Sequence, residues 1–134
     1  MIKGYHDVQF SFAPHFDQQF LSELYDGDLK SAEEVFQSSI VQITQEMADA
    51  EQLFRENDIT GLRKIFHRIK PLFGYVGLLG VQNDVRDFEE TCIQVRDSKG
   101  LLTAFENIKS IIWDASSKII SEKNRLSDYN NQRA

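Results

Sequence analysis

The sequence is poor in features that mark exported or membrane proteins. Its single cysteine, Cys92, cannot form a disulfide within the chain, and its helical register with neighbouring apolar residues suggests a buried thiol. The opening residues MIKGYHDV contain no apolar signal region, and the longest apolar run, around residues 72 to 81, is about half a membrane span. We therefore expect a soluble, cytoplasmic protein that does not enter a membrane.

Several kinds of catalytic or ligand-binding pattern are also missing from the sequence. It has no glycine-rich phosphate loop, no paired catalytic carboxylates and no cluster of residues spaced as metal ligands. We therefore expect neither a metal nor a cofactor. The net charge of −6 and the pI of about 5.0 argue against nucleic-acid binding, which needs a larger basic surface.

Apolar residues recur at helical spacing through most of the 134 residues, enough for one domain with a core. The spacing predicts a short first helix, three longer ones and a last helix that starts near Leu101. Their predicted limits are a stop near Asp26-Gly27, a helix from Asp28 to Arg55, a helix after Asp58 to about Gly80, and a helix capped by Asn83 or Asp84. Short connections then favour an all-α, antiparallel up-and-down four-helix bundle with a short additional N-terminal helix.

The bundle should occupy residues 16–123. Residues 1–15 are predicted to be an N-terminal arm that lies on the bundle, because their apolar residues alternate without a second strand nearby. Residues 124–134, NRLSDYNNQRA, are predicted to be a frayed polar C-terminal tail.

Residues 66 to 80, FHRIKPLFGYVGLLG, carry the most informative pattern in the chain, with His67 at its centre. On a helix, His67 lies opposite an apolar face, so the imidazole should point to solvent. Its own face contains Arg63, Lys64, Lys70, Pro71, Gly74 and Leu78. No acidic residue occurs between Asp58 and Asp84, so a basic island around His67 is expected to attract phosphate or a carboxylate-rich partner.

The pattern His-x-Ile-Lys, followed by Gly74 and Gly77, resembles the histidine-containing phosphotransfer (HPt) domain of two-component phosphorelays. The resemblance covers roughly residues 16 to 120. It includes further residues on both sides of the motif: Phe16-Asp17, Leu24, Gly27-Asp28, Asn57-Asp58, Leu62, Phe66, Val81, Val85, Phe88 and Glu89.

The resemblance implies that His67 accepts a phosphoryl group and that Lys70 stabilises it electrostatically, while Gly74 leaves space for a partner. The implied partners are receiver domains of response regulators or hybrid kinases, which supply the metal and the catalysis. The chain would then be a phosphocarrier and not an enzyme, and we expect a monomer. The surface expected to bind the receiver comprises Arg63, Lys64, Arg68, Pro71, Gly74 and Leu78.

The sequence departs from the family pattern at two positions, which keeps other functions open. Pro71 stands where the family usually has glycine, and Phe73 is bulkier than the usual residue. One alternative is an HPt-like scaffold that binds receivers without being phosphorylated. An enzyme that uses His67 as a general base is a weaker alternative, because no nucleophile or oxyanion donor is spaced to act with it.

Overall fold

The computed structural model describes residues 9–133, and this part of the chain is helical with no β-strand. Five α-helices and one 3₁₀ turn follow each other along the chain. Their bounds are α1 Gln18–Tyr25, α2 Leu29–Arg55, α3 Ile59–Tyr75, α4 Leu79–Gln94, the 3₁₀ turn Ser98–Leu101, and α5 Leu102–Gln132. Within residues 9–133, no helix combines the length and the apolar character needed to cross a membrane.

Aspartate side chains cap the N-termini of the first three helices. Each accepts a hydrogen bond from the backbone amide three residues later. Asp17 accepts from Phe20 at 3.0 Å, and Asp28 caps α2 in the same way. Asp58 accepts from the amide of Gly61 at 2.9 Å, which confirms the predicted cap of α3. The predicted first helix, its stop at Asp26 and the long second helix are also confirmed.

The four long helices surround a common apolar core, and each of them packs against two of the others. Helix α2 contacts α3 and α5, and α4 contacts the same two helices, while α1 lies against α2. Aromatic rings from several helices meet inside: Phe66 lies 4.5 Å from Phe88, and Phe105 lies 4.3 Å from Phe54, between ring centroids. The architecture is therefore a helical bundle, in which α3 and α4 are neighbours.

The turn between α3 and α4 corrects the predicted helix limits. Helix α3 ends at Tyr75, and Gly77 adopts a φ of 74°, a backbone conformation that side chains with a Cβ rarely adopt. The amide of Leu78 then donates to the carbonyl of Phe73 at 2.8 Å, which closes the helix end. Helix α4 starts at Leu79, so the predicted extension of α3 to Gly80 and the caps at Asn83 or Asp84 were wrong.

The C-terminal segment is also different from the prediction. Residues 124–132 continue α5, where Leu126 is buried and Asn130 donates to the carbonyl of Leu29 at 2.9 Å. These contacts hold the last turns of the helix against the start of α2. The expected frayed tail is therefore a helix through Gln132.

The described part of the predicted arm, residues 9–15, lies on the bundle. Phe12 is buried and stacks on Phe36 of α2. The amide of Ala13 donates to the buried carboxylate of Glu122 at 2.7 Å, which fixes the segment to α5. The rest of the predicted arm, residues 1–8, lies outside the described residues.

Candidate functional site

Helix α3 presents His67 to solvent, as its apolar periodicity predicted. Phe66 and Ile69 are fully buried, whereas the side chain of His67 is 68% exposed. The inward residues anchor the helix to the bundle, and the imidazole therefore projects from a rigid element. Such a support limits the movement of a reactive group.

A carboxylate from α4 holds the histidine and the lysine together. One oxygen of Glu89, Oε2, lies 2.8 Å from Nδ1 of His67, and the other, Oε1, accepts a hydrogen bond from Nζ of Lys70 at 2.7 Å. Glu89 is only 12% exposed, so this bridge stands in partly desolvated surroundings. The His67–Glu89–Lys70 bridge is the centre of the candidate site.

Glu89 stays ionised and sets the orientation of the imidazole. Burial alone would raise its pKa, but hydrogen bonds from Lys70 and His67, together with the positive charge of Lys70, hold the pKa below the usual 4.5. An ionised carboxylate can only accept, so Nδ1 carries the proton in the neutral ring. The Nε2 lone pair of His67 is then available on the exposed side of the ring.

The basic island expected around His67 is partly neutralised by neighbouring helices. Arg68 makes two hydrogen bonds to Glu46 of α2, at 2.7 and 3.0 Å, and Lys70 is paired with Glu89. Hydrogen bonding to Arg68 also lowers the pKa of Glu46, against an opposing effect of its burial. Arg68 and Lys70 are therefore each paired with a carboxylate of the chain itself.

Two cations remain beside the histidine. Arg63 and Lys64 border an open cleft of about 330 Å³ together with His67, Arg68 and Glu89. Within residues 9–133, no carboxylate lies within ion-pair distance of Arg63 or Lys64. An anion that approaches Nε2 of His67 would therefore meet positive charge on the side nearer the start of α3.

The other predicted contact residues are distributed differently from the expectation. Pro71 is exposed inside α3, but Gly74 and Leu78 are buried. A Cβ on Gly74 would lie 2.8 Å from the side-chain nitrogen of Gln82, which itself donates to the carbonyl of Lys70 at 3.3 Å. Gly74 thus makes room for the side chain of Gln82, and Leu78 belongs to the buried turn before α4.

Sequence reasoning missed Glu89 and Gln82 as parts of the site. Glu89 had a recognisable signal, because it follows the buried Val85 by four residues and precedes the buried Cys92 by three. That spacing puts a charged residue at the edge of the inward face of α4, where it needs a partner on the next helix. Nothing in the sequence indicates which helix supplies that partner.

The described residues 9–133 contain no group of three or more potential metal ligands. The described fold and site define an all-helical bundle that displays a histidine oriented by a largely buried carboxylate, that of Glu89. Comparison with protein-family models, curated proteins and solved structures finds no match for the chain.

Proposed function

We propose that this chain is a histidine phosphotransfer protein that accepts a phosphoryl group on His67 from a receiver-domain aspartate and passes it to another receiver. The observation that carries the proposal is the fixed imidazole: Glu89 binds both Nδ1 of His67 and the ammonium group of Lys70, Nε2 is not used by that contact, and the His67 side chain is 68% exposed. The resemblance to HPt domains around His67 and Lys70 supports the same function.

The proposed transfer uses the ring nitrogen that Glu89 leaves free. Nε2 of His67 attacks the phosphorus of an aspartyl phosphate in line with the acyl oxygen, a P–N bond forms, the P–O bond breaks, and the aspartate departs as a carboxylate. The phosphorylated ring keeps its Nδ1 proton and becomes cationic as the bond forms. The carboxylate of Glu89, 2.8 Å from Nδ1, offsets that charge.

Lys70 is suited to the negative charge of the phosphoryl oxygens. Its ammonium group is held by Glu89 2.7 Å away, one helical turn after His67, and it is 26% exposed. The four-carbon stem of lysine is flexible, and in the proposed transfer it turns the ammonium group toward the phosphoryl oxygens on Nε2. The receiver would supply the divalent metal, so we propose a phosphocarrier that uses no metal or cofactor of its own and that is not an enzyme by itself.

The proposed arrangement of the bundle is antiparallel and up-and-down for α2–α5, with α1 as the short additional helix. The closed order of contacts and the short connections between successive helices support it. We further propose a cytoplasmic monomer whose partners are receiver domains, docking over the cleft that contains Arg63 and Lys64. Nucleic acid and membranes are not expected partners.

The second candidate is an HPt-like scaffold that binds receivers without being phosphorylated. Pro71 favours it, because this proline lies inside α3 directly after Lys70 and removes the amide that would bond to the carbonyl of His67. A shift of the helix at this point would change the spacing of His67 and Lys70.

Incubation with phosphorylated receiver domains distinguishes the two candidates. We expect acid-labile, base-stable label on the chain, absent from His67→Gln and retained by His15→Gln, which changes another exposed histidine. Both variants should fold as the wild type does, since exposed substitutions usually change stability by less than about 0.5 kcal/mol. Label retained in His67→Gln would contradict the proposal, and binding without any label would favour the scaffold.

A further inference from the structure

An apolar groove lies between α2 and α5, formed by a different pair of helices from those that carry His67 and Glu89. Its more enclosed part is a pocket of about 230 Å³ with mostly apolar walls, to which Ile43, Met47, Ala48, Ile112 and Trp113 contribute. Trp113 is 71% exposed, the most exposed large apolar side chain in the described residues. Exposed tryptophan beside an apolar pocket is typical of a binding surface, because burying it there contributes much of the affinity.

The groove continues along α2 beyond this pocket. Thr44 and Ala48 also border a second, shallower pocket, which reaches Val41 and Ile120. Both of these aliphatic side chains are about half exposed. The two pockets together extend from residue 40 to residue 51 of α2, which at 1.5 Å per residue is roughly 16 Å, or three helical turns.

Carboxylates outnumber cations at the border of the groove. Asp49 and Glu51 line it together with one cation, Lys109; Glu106 lies beside Lys109, and Arg55 lies 3.9 Å from Glu51. Lys109 is already paired with both Glu51, at 2.6 Å, and Glu106, at 2.8 Å. The border therefore carries a net negative charge, which repels a second copy of this acidic chain and attracts a basic partner.

We propose that this groove binds a basic amphipathic helix of a partner protein, about three turns long. Its apolar residues, spaced three and four apart, would cover Trp113 and the pocket beneath it, and its lysines or arginines would face Asp49 and Glu51. The groove shares no lining residue with the cleft around His67. Because the two sites are separate, we expect a receiver on His67 and a helix in the groove to bind at the same time.

The test uses two synthetic helical peptides of about 14 residues with the same leucine face. One peptide has lysine at all the remaining positions, and the other has glutamate there. Trp113 is the only tryptophan of the chain, so its emission reports directly on the groove. We expect the lysine peptide to shift this emission to shorter wavelength and to bind at least tenfold more tightly than the glutamate peptide. Its affinity should fall as salt is added.

Variants then locate the binding. Ala48→Arg places bulk and positive charge in the groove and should lower the affinity for the lysine peptide at least tenfold. Leu102→Ser changes an exposed apolar residue elsewhere on α5 and should leave that affinity unchanged. His67→Gln should bind the peptide as the wild type does, whatever the result of the phosphotransfer experiment.

Three results would overturn the proposal. The first is an affinity for the glutamate peptide equal to that for the lysine peptide. The second is an unchanged affinity for the lysine peptide in a folded Ala48→Arg variant. The third is a Trp113 emission that shifts with protein concentration in the absence of peptide, together with a dimer in sedimentation. The last result would show that a second copy occupies the groove.

Discussion

Nδ1 of His67 and Oε2 of Glu89 are 2.8 Å apart, although 22 residues separate them in the chain. The contact joins the exposed face of α3 to the edge of the buried face of α4. It leaves only one nitrogen of the ring available for reaction. The proposed phosphotransfer therefore depends on a residue outside the His-x-Ile-Lys motif.

Replacing Glu89 should slow phosphotransfer without preventing receiver binding. In Glu89→Gln, the amide oxygen can still accept a hydrogen bond from Nδ1–H of His67, but it no longer offsets the charge of the phosphorylated ring. We expect a transfer rate about tenfold lower, equivalent to about 1.4 kcal/mol in the barrier, and a larger loss in Glu89→Ala. Rapid-quench measurement of phosphohistidine formation gives the rate. Glu90→Gln removes the same charge from an exposed neighbour and is the matched control; an equal effect of both changes would contradict a specific role for Glu89.

The lowered pKa of Glu89 predicts a pH dependence of stability. Burial opposes ionisation, yet the hydrogen bonds from Lys70 and His67 keep the folded-state pKa below the usual 4.5. A carboxyl group with a depressed folded-state pKa stabilises the fold above its unfolded pKa, and this contribution is lost as the pH falls through the folded value.

Urea denaturation of the wild type and of Glu89→Gln at several pH values measures this contribution. The wild type should be more stable than the variant at about pH 5.5, and the difference should shrink as the pH falls below 4.5. The comparison cancels other carboxylates, such as Glu46. A difference that stays constant down to about pH 3 would show that the charge of Glu89 does not stabilise the fold.

The contact between Gly74 and Gln82 predicts a coupled pair of substitutions. Gly74→Ala should raise the free energy of unfolding by about 1 kcal/mol through its higher helix propensity. The new Cβ also pushes the Gln82 side chain away from the carbonyl of Lys70, and the loss of that hydrogen bond costs a similar amount. In the Gln82→Ala background only the gain remains, so Gly74→Ala should then stabilise the protein by about 1 kcal/mol.

Denaturant unfolding of the four proteins in this cycle gives the coupling energy. Gly80→Ala is a control for propensity alone, because a Cβ there meets no atom within 4 Å. An equal effect of Gly74→Ala in both backgrounds would show that the Gln82 side chain moves aside without loss.

Pro71 predicts a gain in stability when it is replaced. Pro71→Ala restores the amide that can bond to the carbonyl of His67, and an interior proline costs a helix about 3 kcal/mol. Without the proline, the unfolded chain has more conformational freedom, and this offsets roughly 1 kcal/mol of the gain. We therefore expect the free energy of unfolding to rise by on the order of 2 kcal/mol. Thermal or urea unfolding measures the gain.

The same variant tests whether the proline positions His67. We expect phosphotransfer by Pro71→Ala at a similar or higher rate than the wild type, because Glu89 still holds the imidazole and Lys70. A rate reduced more than tenfold with unchanged receiver affinity would show that the site needs the proline.

The sequence by itself determined where the first three helices begin and which face of α3 around His67 is buried. Both depend on residues close together in the chain: the carboxylate of Asp58 reaches the amide of Gly61, and the spacing of Leu62, Phe66 and Ile69 leaves His67 on the solvent side. The exposure of His67 therefore followed from local pattern alone.

The tertiary structure alone decided what surrounds His67 and how far the last helix extends. Glu89 and Glu46 meet His67 and Arg68 only because α4 and α2 both pack beside α3, so the local charge could not be read from the residues next to the histidine. Likewise, residues 124–132 are mostly polar and have weak helical periodicity. Their helix is stabilised by burial of Leu126 and by the hydrogen bond from Asn130 to Leu29, whose positions are about a hundred residues apart in the chain.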